Sequence, residues 1–199
     1  MKVLIACEFS GIVRRAFARK GHYAVSCDLL DTEILGRHYK GDVLEILNDG
    51  WDLMIAHPPC TYLSRAGARW LHGGGAINKE RYEKGLDGRR FFMELLNAPI
   101  ERIAIENPTP LKIFKLPLHT QAVQPYEYGH PYSKRTLLWL KNLPKLIPTN
   151  IIEQYKPYLP SNTGGKKRGQ KYSIGVSKNT KESSTTFCGI ANAMAEQWG

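Results

Sequence analysis

Paired cysteines are missing from this chain: Cys7, Cys27, Cys60 and Cys188 are scattered, with no C-x-x-C pair and no two histidines at ligand spacing. That pattern excludes the common structural zinc sites. His-x-Glu is also missing, and Leu63 stands where P-C-x-x-C would need its second thiol, which excludes the zinc-dependent nucleobase deaminases. The dinucleotide fingerprint G-x-G-x-x-G does not occur. No stretch approaches the roughly 18 uninterrupted apolar residues of a membrane span, and the opening MKVLIACEFS has neither the long apolar core nor the cleavage site of a secretory signal. The expectation is a cytoplasmic protein with free thiols, no metal and no membrane partner. Acidic residues are nearly missing from one region: residues 141–181 hold nine Lys or Arg against Glu153 alone, which is +8 of the net +10. Clustered cations release counterions from a phosphate backbone and so point to a polyanionic partner.

What is present suits one domain of ordinary size: 199 residues, 42% of them hydrophobic and 23% charged. Lys2–Cys7 is a short apolar run ending near Gly11, and Val13, Ala16 and Phe17 then take helical spacing, which reads as strand, turn, helix. Similar apolar runs follow at Tyr23–Cys27, Asp42–Leu47, Trp51–Ala56, Arg102–Ile105 and Thr136–Leu140, with helices expected around Asp87–Leu96 and Gly189–Trp198. Strands alternating with helices predict an α/β fold with a mostly parallel sheet and helices on both faces. Ligands of such sheets bind at the carboxyl ends of the strands, so the polar residues just after each run are the candidates. From Asn142 onward Pro144, Pro148, Pro157, Pro160 and the stretch SNTGGKKRGQKYS replace apolar patterning. This predicts an extended or mobile basic insert at 141–181 within a domain formed by 1–140 and 182–199.

Five strand ends carry the candidate chemistry. Phe9-Ser10-Gly11 sits at the first strand-to-helix turn, where glycine allows a ligand close to the backbone. Asp28 and Asp42 stand at later strand ends, suited either to ribose hydroxyls or to capping a following turn. His57-Pro58-Pro59-Cys60 presents a thiol on a turn stiffened by two prolines. Such a thiol is a candidate nucleophile; with an ordinary pKa of about 8.5 it needs a helix N-terminus or a neighbouring cation to assist it. Glu106-Asn107-Pro108 supplies a carboxylate at the end of a buried strand, where desolvation is expected to raise its pKa and let it carry a proton near neutral pH. An amino-group methyltransferase would place an aromatic residue after the two prolines, and Cys60 does not fit that slot.

The order Phe9-Ser10-Gly11, Asp28, Gly41-Asp42-Val43, Pro58-Pro59-Cys60 with Ser64, then Glu106-Asn107-Pro108, resembles the motif order of the cytosine-C5 DNA methyltransferases. Tyr128-Gly129-His130-Pro131 is similar to that family's Y-G-x-P, and Gly189-Ile190-Ala191 to its last motif, so the resemblance runs along nearly the whole chain and is closest to the short phage-type members. It implies a Rossmann-like fold and S-adenosylmethionine as cofactor, held by Phe9, Ser10, Gly11, Asp28, Asp42, Val43, Pro59, Gly189 and Ala191. It further implies that Cys60 attacks C6 of a cytosine flipped out of DNA while Glu106 holds N3 and the exocyclic amine.

Two departures stand out. The family's Q-x-R-x-R falls on Tyr132, Lys134 and Thr136, leaving Lys134 and Arg135 as candidate replacements at the target base. The separate domain with which relatives read their sites is reduced to the basic insert, whose Lys166, Lys167 and Arg168, with Arg65 and Arg69 after Cys60, are candidates for phosphate contacts. Weak sequence discrimination, a short site or an accessory protein is therefore expected. A free nucleotide, an RNA or a modified group donor, or a DNA-binding protein with little catalysis, are the alternatives at this point. Gly73-Gly74-Gly75 is expected to hinge a loop closing over the base.

Overall fold

The computed structural model describes residues 1–72, 76–159 and 184–199. Its main sheet contains β1 (Lys2–Ala6), β2 (Tyr23–Asp28), β3 (His38–Lys40), β4 (Leu53–Ala56), β5 (Arg102–Asn107), β6 (Gln121–Val123) and β8 (Thr136–Lys141), in the order β3-β2-β1-β4-β5-β8-β6. The first five are parallel, and β8 runs antiparallel to both β5 and β6. The sheet is thus Rossmann-like, with the 3-2-1-4-5 order and its change of direction between β1 and β4. A two-stranded sheet, β7 (Tyr132–Ser133) with β9 (Lys156–Pro157), lies apart from it.

The α/β architecture with helices on both faces is as expected, and the cause is visible in the side-chain alternation. Val3 and Ile5 enter one core, with Val13 and Phe17 of α1 (Ile12–Arg19) and Met194 and Trp198 of α4 (Cys188–Trp198). Leu4 and Ala6 enter the other, with Phe92 and Leu95 of α3 (Lys79–Leu96). Val3–Ala6 and Leu53–Ala56 are all at 0% exposure. Burial of each large apolar side chain stabilises by roughly 1.5–3 kcal/mol, which puts the most continuous apolar runs at the sheet centre.

Several expectations need correction. Asp42–Leu47 is not a strand: Asp42 caps a 3-10 turn at Val43–Glu45 by accepting the Leu44 amide, and the strand beside β2 is His38–Lys40. α3, expected around Asp87–Leu96, begins earlier, at Lys79, capped by Asn78; its charged half KERYEKG lacks the apolar period that marks its second half. A short helix, α2 (Ala68–Leu71), precedes it. The stretch 142–159, expected to belong to a loose insert, packs on the body: Leu146 is buried, and the Trp198 indole donates to the Pro144 carbonyl at 3.1 Å. The rest of the expected insert, with Lys166, Lys167 and Arg168, lies outside the described residues, as do Gly73–Gly75. No helix among the described residues is long and apolar enough to cross a membrane.

Candidate active site

The parallel register of β4 and β5 pairs Ala56 with Ile105, so the next residues out, His57 and Glu106, emerge side by side. His57 Nδ1 lies 3.1 Å from Glu106 Oε2. The turn that follows is held by buried Asn107, whose Nδ2 donates to the Pro58 carbonyl at 3.0 Å. Two prolines and this clamp aim Cys60, while its own carbonyl accepts the amides of Leu63 and Ser64. Residues 63–65 are then stitched to 109–111: the Arg65 amide donates to the Thr109 carbonyl at 3.0 Å and the Leu111 amide to the Leu63 carbonyl at 2.7 Å.

Around Cys60 stand Glu106, Lys134 and the buried Ser64. Burial first and the Glu106 carboxylate second push the thiol up, against the pull of its backbone, Lys134 and the Ser64 hydroxyl. A cation is present as the chemistry asks, yet the resting group is a thiol. Glu106 reverses the expectation made for it. Burial pushes its carboxyl up, but the hydrogen bond and charge of His57, then Lys134 and the Thr136 hydroxyl, outweigh it and hold the group below its ordinary value. Glu106 is therefore a carboxylate in the resting protein, and Thr136 is one of its partners. Arg135 does not join this group; it is exposed and donates to Thr109 Oγ1 at 3.1 Å.

Beside the pair, at the ends of β1 and β4, an open cleft is lined by Cys7, Glu8, Phe9, Ser10, His57, Ser184, Thr185 and Thr186. Its floor is set by Glu8, whose buried carboxylate accepts the amides of Val13 at 2.6 Å and Arg14 at 3.2 Å and the Ser10 hydroxyl at 3.2 Å. That caps α1, and Gly11 makes the bend possible with φ of 71°. Arg14, buried on α1, reaches back to Ser26 Oγ and to the carbonyls of Ile34 and Arg37, tying down the loop after β2.

The expected cofactor residues divide accordingly. Phe9 and Ser10 line the cleft, and Asp28 ends β2, accepting the Leu30 amide at 3.0 Å. Asp42 is exposed at its cap, and Pro59 is exposed on the turn. Val43 and Ala191 are buried, one in each core. Gly189 serves packing: a methyl group there would overlap the Tyr128 carbonyl, and its amide donates to His130 Nε2 at 2.9 Å. The segment just before α4, Ser184–Thr186, reaches the cleft instead.

Arg65 and Arg69 are exposed beyond Cys60, with the Arg69 guanidinium 4.6 Å above the Trp70 ring. Burial and Asp28 push Cys7 and Cys27 up to about 12, so neither competes with Cys60 as a nucleophile. Cys188 is exposed, not a core residue. Sequence reading missed His57, Glu8 and Ser184–Thr186. For His57 and Glu8 a signal existed, a polar residue within two of a strand end; Ser184–Thr186 carries none.

No protein-family model and no curated protein sequence matches the chain. Among solved structures it is similar to the Entamoeba histolytica methyltransferase EhMeth, with 17% identity and a TM-score of 0.43, over 77% of this chain and 55% of that one. The chain thus spans little more than half the length of that protein.

Proposed function

We propose that this chain is an S-adenosylmethionine-dependent methyltransferase that modifies C5 of a cytosine in DNA, a reduced relative of the cytosine-C5 family. One observation carries the reading: a thiol on a proline-stiffened turn, a carboxylate and an ammonium group converge at the ends of β4, β5 and the start of β8, beside a polar cleft at the sheet's switch point. The motif order in the sequence supports the same assignment. The cleft suits the cofactor: hydroxyls of Ser10 and Thr186 and the buried His57 Nε2, which has no hydrogen-bond partner among the described residues, suit its amino-acid end, and Asp28 at the end of β2 suits its ribose. When bound, the cofactor supplies an electrophilic methyl group.

The chain's own residues do the rest. Cys60 Sγ bonds to C6, Glu106 holds N3 and the exocyclic amine, and Lys134 balances the charge that develops on the ring. C5, made nucleophilic, takes the methyl group and then loses its proton as Sγ departs. The base has to leave the duplex for this geometry. Exposed Arg65 and Arg69, together with Lys166, Lys167 and Arg168, are the proposed phosphate contacts, and an accessory protein is the proposed source of any site selectivity.

The test is incubation with methyl-labelled S-adenosylmethionine and duplex DNA, RNA or free cytidine nucleotide, beside Cys60→Ser. Label at C5 of DNA cytosine, lost in the variant, is expected. Label in RNA or nucleotide alone would move the substrate assignment, and an adduct with 5-fluorocytosine DNA that persists in Cys60→Ala would overturn the nucleophile.

A further inference from the structure

Of the four tryptophans, Trp51, Trp139 and Trp198 are buried, and each of their indole N–H groups donates to a backbone carbonyl. Trp70 is the exception, at 59% exposure. It stands on α2, a few residues beyond Cys60, with the Arg69 guanidinium 4.6 Å above its ring. One exposed apolar side chain needs no explanation by itself; the setting of this one does. The segment that carries it is fastened on both sides, by the Arg65 amide to the Thr109 carbonyl at 3.0 Å and by the Asn78 amide to the Leu71 carbonyl at 2.9 Å. Leu71, the next residue, is buried in the same core as Leu63. The fold itself therefore presents the Trp70 indole to solvent. Arg65, Arg69 and Lys79 are the only charged residues between Cys60 and Glu80, with no carboxylate among them. Next to Cys60, the Arg81 guanidinium lies 4.8 Å from the Tyr62 ring and donates to the Thr61 carbonyl at 2.9 Å. Aromatic rings and cations are thus interleaved along the stretch that leads away from the thiol.

We infer that Trp70 is a stacking platform for a nucleobase beside the target cytosine, and that the DNA this chain prefers is an unpaired strand. The inference rests on the reading above that DNA is the substrate, and it names the form of that DNA. Stacking decides between the two forms. In a duplex both faces of every internal base are covered by its neighbours, so an exposed indole gains nothing until a step has been unstacked. In a single strand each base offers a face at little cost, and rings interleaved with cations are the arrangement that holds such a strand. Cations alone serve the phosphates of either form, so a surface meant only for duplex phosphates has no use for the indole. Arg65 and Arg69, set beside the ring, meet the phosphates that flank the stacked base. An unpaired cytosine also reaches Cys60 without the cost of being drawn out of a duplex.

Binding of the whole protein to a labelled, cytosine-containing oligonucleotide of about 12 nucleotides tests this, as the single DNA strand, as its duplex and as RNA of the same sequence. Fluorescence anisotropy of the label gives the affinity, and tryptophan emission reports the stack, because the other three indoles are buried. Wild type is expected to bind the single strand about tenfold or more tightly than the duplex, with its emission quenched on binding. Trp70→Ala should remove the quench and about tenfold of the single-strand affinity, leaving duplex affinity and melting temperature unchanged. Trp70→Phe, which keeps a ring, should restore most of that affinity. Equal or tighter binding to the duplex overturns the strand preference. A Trp70→Ala variant that loses nothing, or loses equally on both forms, overturns the stack, and RNA bound more tightly than the DNA strand overturns DNA as the occupant. None of these readouts uses methyl transfer. If binding behaves as expected and no labelled methyl group enters any DNA, the methyl-transfer reading fails and the platform stands; label in duplex cytosine without a strand preference keeps that reading and removes the platform.

Discussion

At the ends of β4 and β5 the polar side chains bond mainly to one another and to the turn that carries Cys60, whereas at the ends of β1, β2 and β3 they bond to backbone amides. His57 meets Glu106 and Asn107 holds the Pro58 carbonyl on the first side. On the second, Glu8 caps α1, Asp28 takes the Leu30 amide and Asp42 the Leu44 amide. The difference lies in what holds each group: other side chains on the first side, backbone amides on the second. A carboxylate held by another side chain remains available to a ligand at modest cost to the fold, while one holding a helix end is already committed to structure.

Glu106→Gln gives the largest expected effect on this contrast. It should lower methyl transfer by about 100-fold or more, as for loss of an acid-base group, with melting temperature little changed. If stability collapsed and the surviving protein kept its rate, the two sides would not differ in kind. Glu8→Ala is the converse. It leaves the Val13 and Arg14 amides without their acceptor and should cost about 2 kcal/mol by denaturant titration, with the rate of the folded fraction at saturating cofactor reduced far less than in Glu106→Gln. A large rate loss at unchanged stability would move Glu8 into the catalytic group.

Asn107→Ala tests the clamp under the turn that carries Cys60. Its expected cost is about 1 kcal/mol in stability, and the 5-fluorocytosine adduct should form more slowly. Equal adduct rates would mean that the prolines alone aim Cys60.

The smallest expected effect is a pH dependence at α4. His130 Nε2 accepts the Gly189 amide, and burial holds the ring below its ordinary 6.5. Because the folded-state value is the lower one, the unfolded chain takes up this proton first. The contribution is therefore complete above about 6.5 and is lost as pH falls through the folded-state value. Melting temperature should decline by a few degrees on acidification, and less so in His130→Gln. An identical decline in both would assign it to other groups.

Much of this molecule was legible from patterning. The continuous apolar runs at Lys2–Ala6 and Leu53–Ala56 are the centre of the sheet because only buried strands can use them. Cys60 and Glu106 stood out as reactive types directly after such runs. Other features were not legible, for separate reasons. Asp42–Leu47 has a strand-like composition, but its first residue caps a turn. The charged half of α3 has no apolar period to read. Gly189 looked like a ligand position, whereas its lack of a side chain answers the approach of the Tyr128 carbonyl, far away in sequence.

The sequence by itself determined the α/β class, the concentration of positive charge at 141–181 and the residue types at each strand end, because period, composition and chain order are local properties. Tertiary structure alone decided that His57 stands against Glu106, that Glu106 is held as a carboxylate, and that Glu8 belongs to a helix. Those outcomes depend on strand register and on which groups share a buried volume, and neither is encoded at any one position.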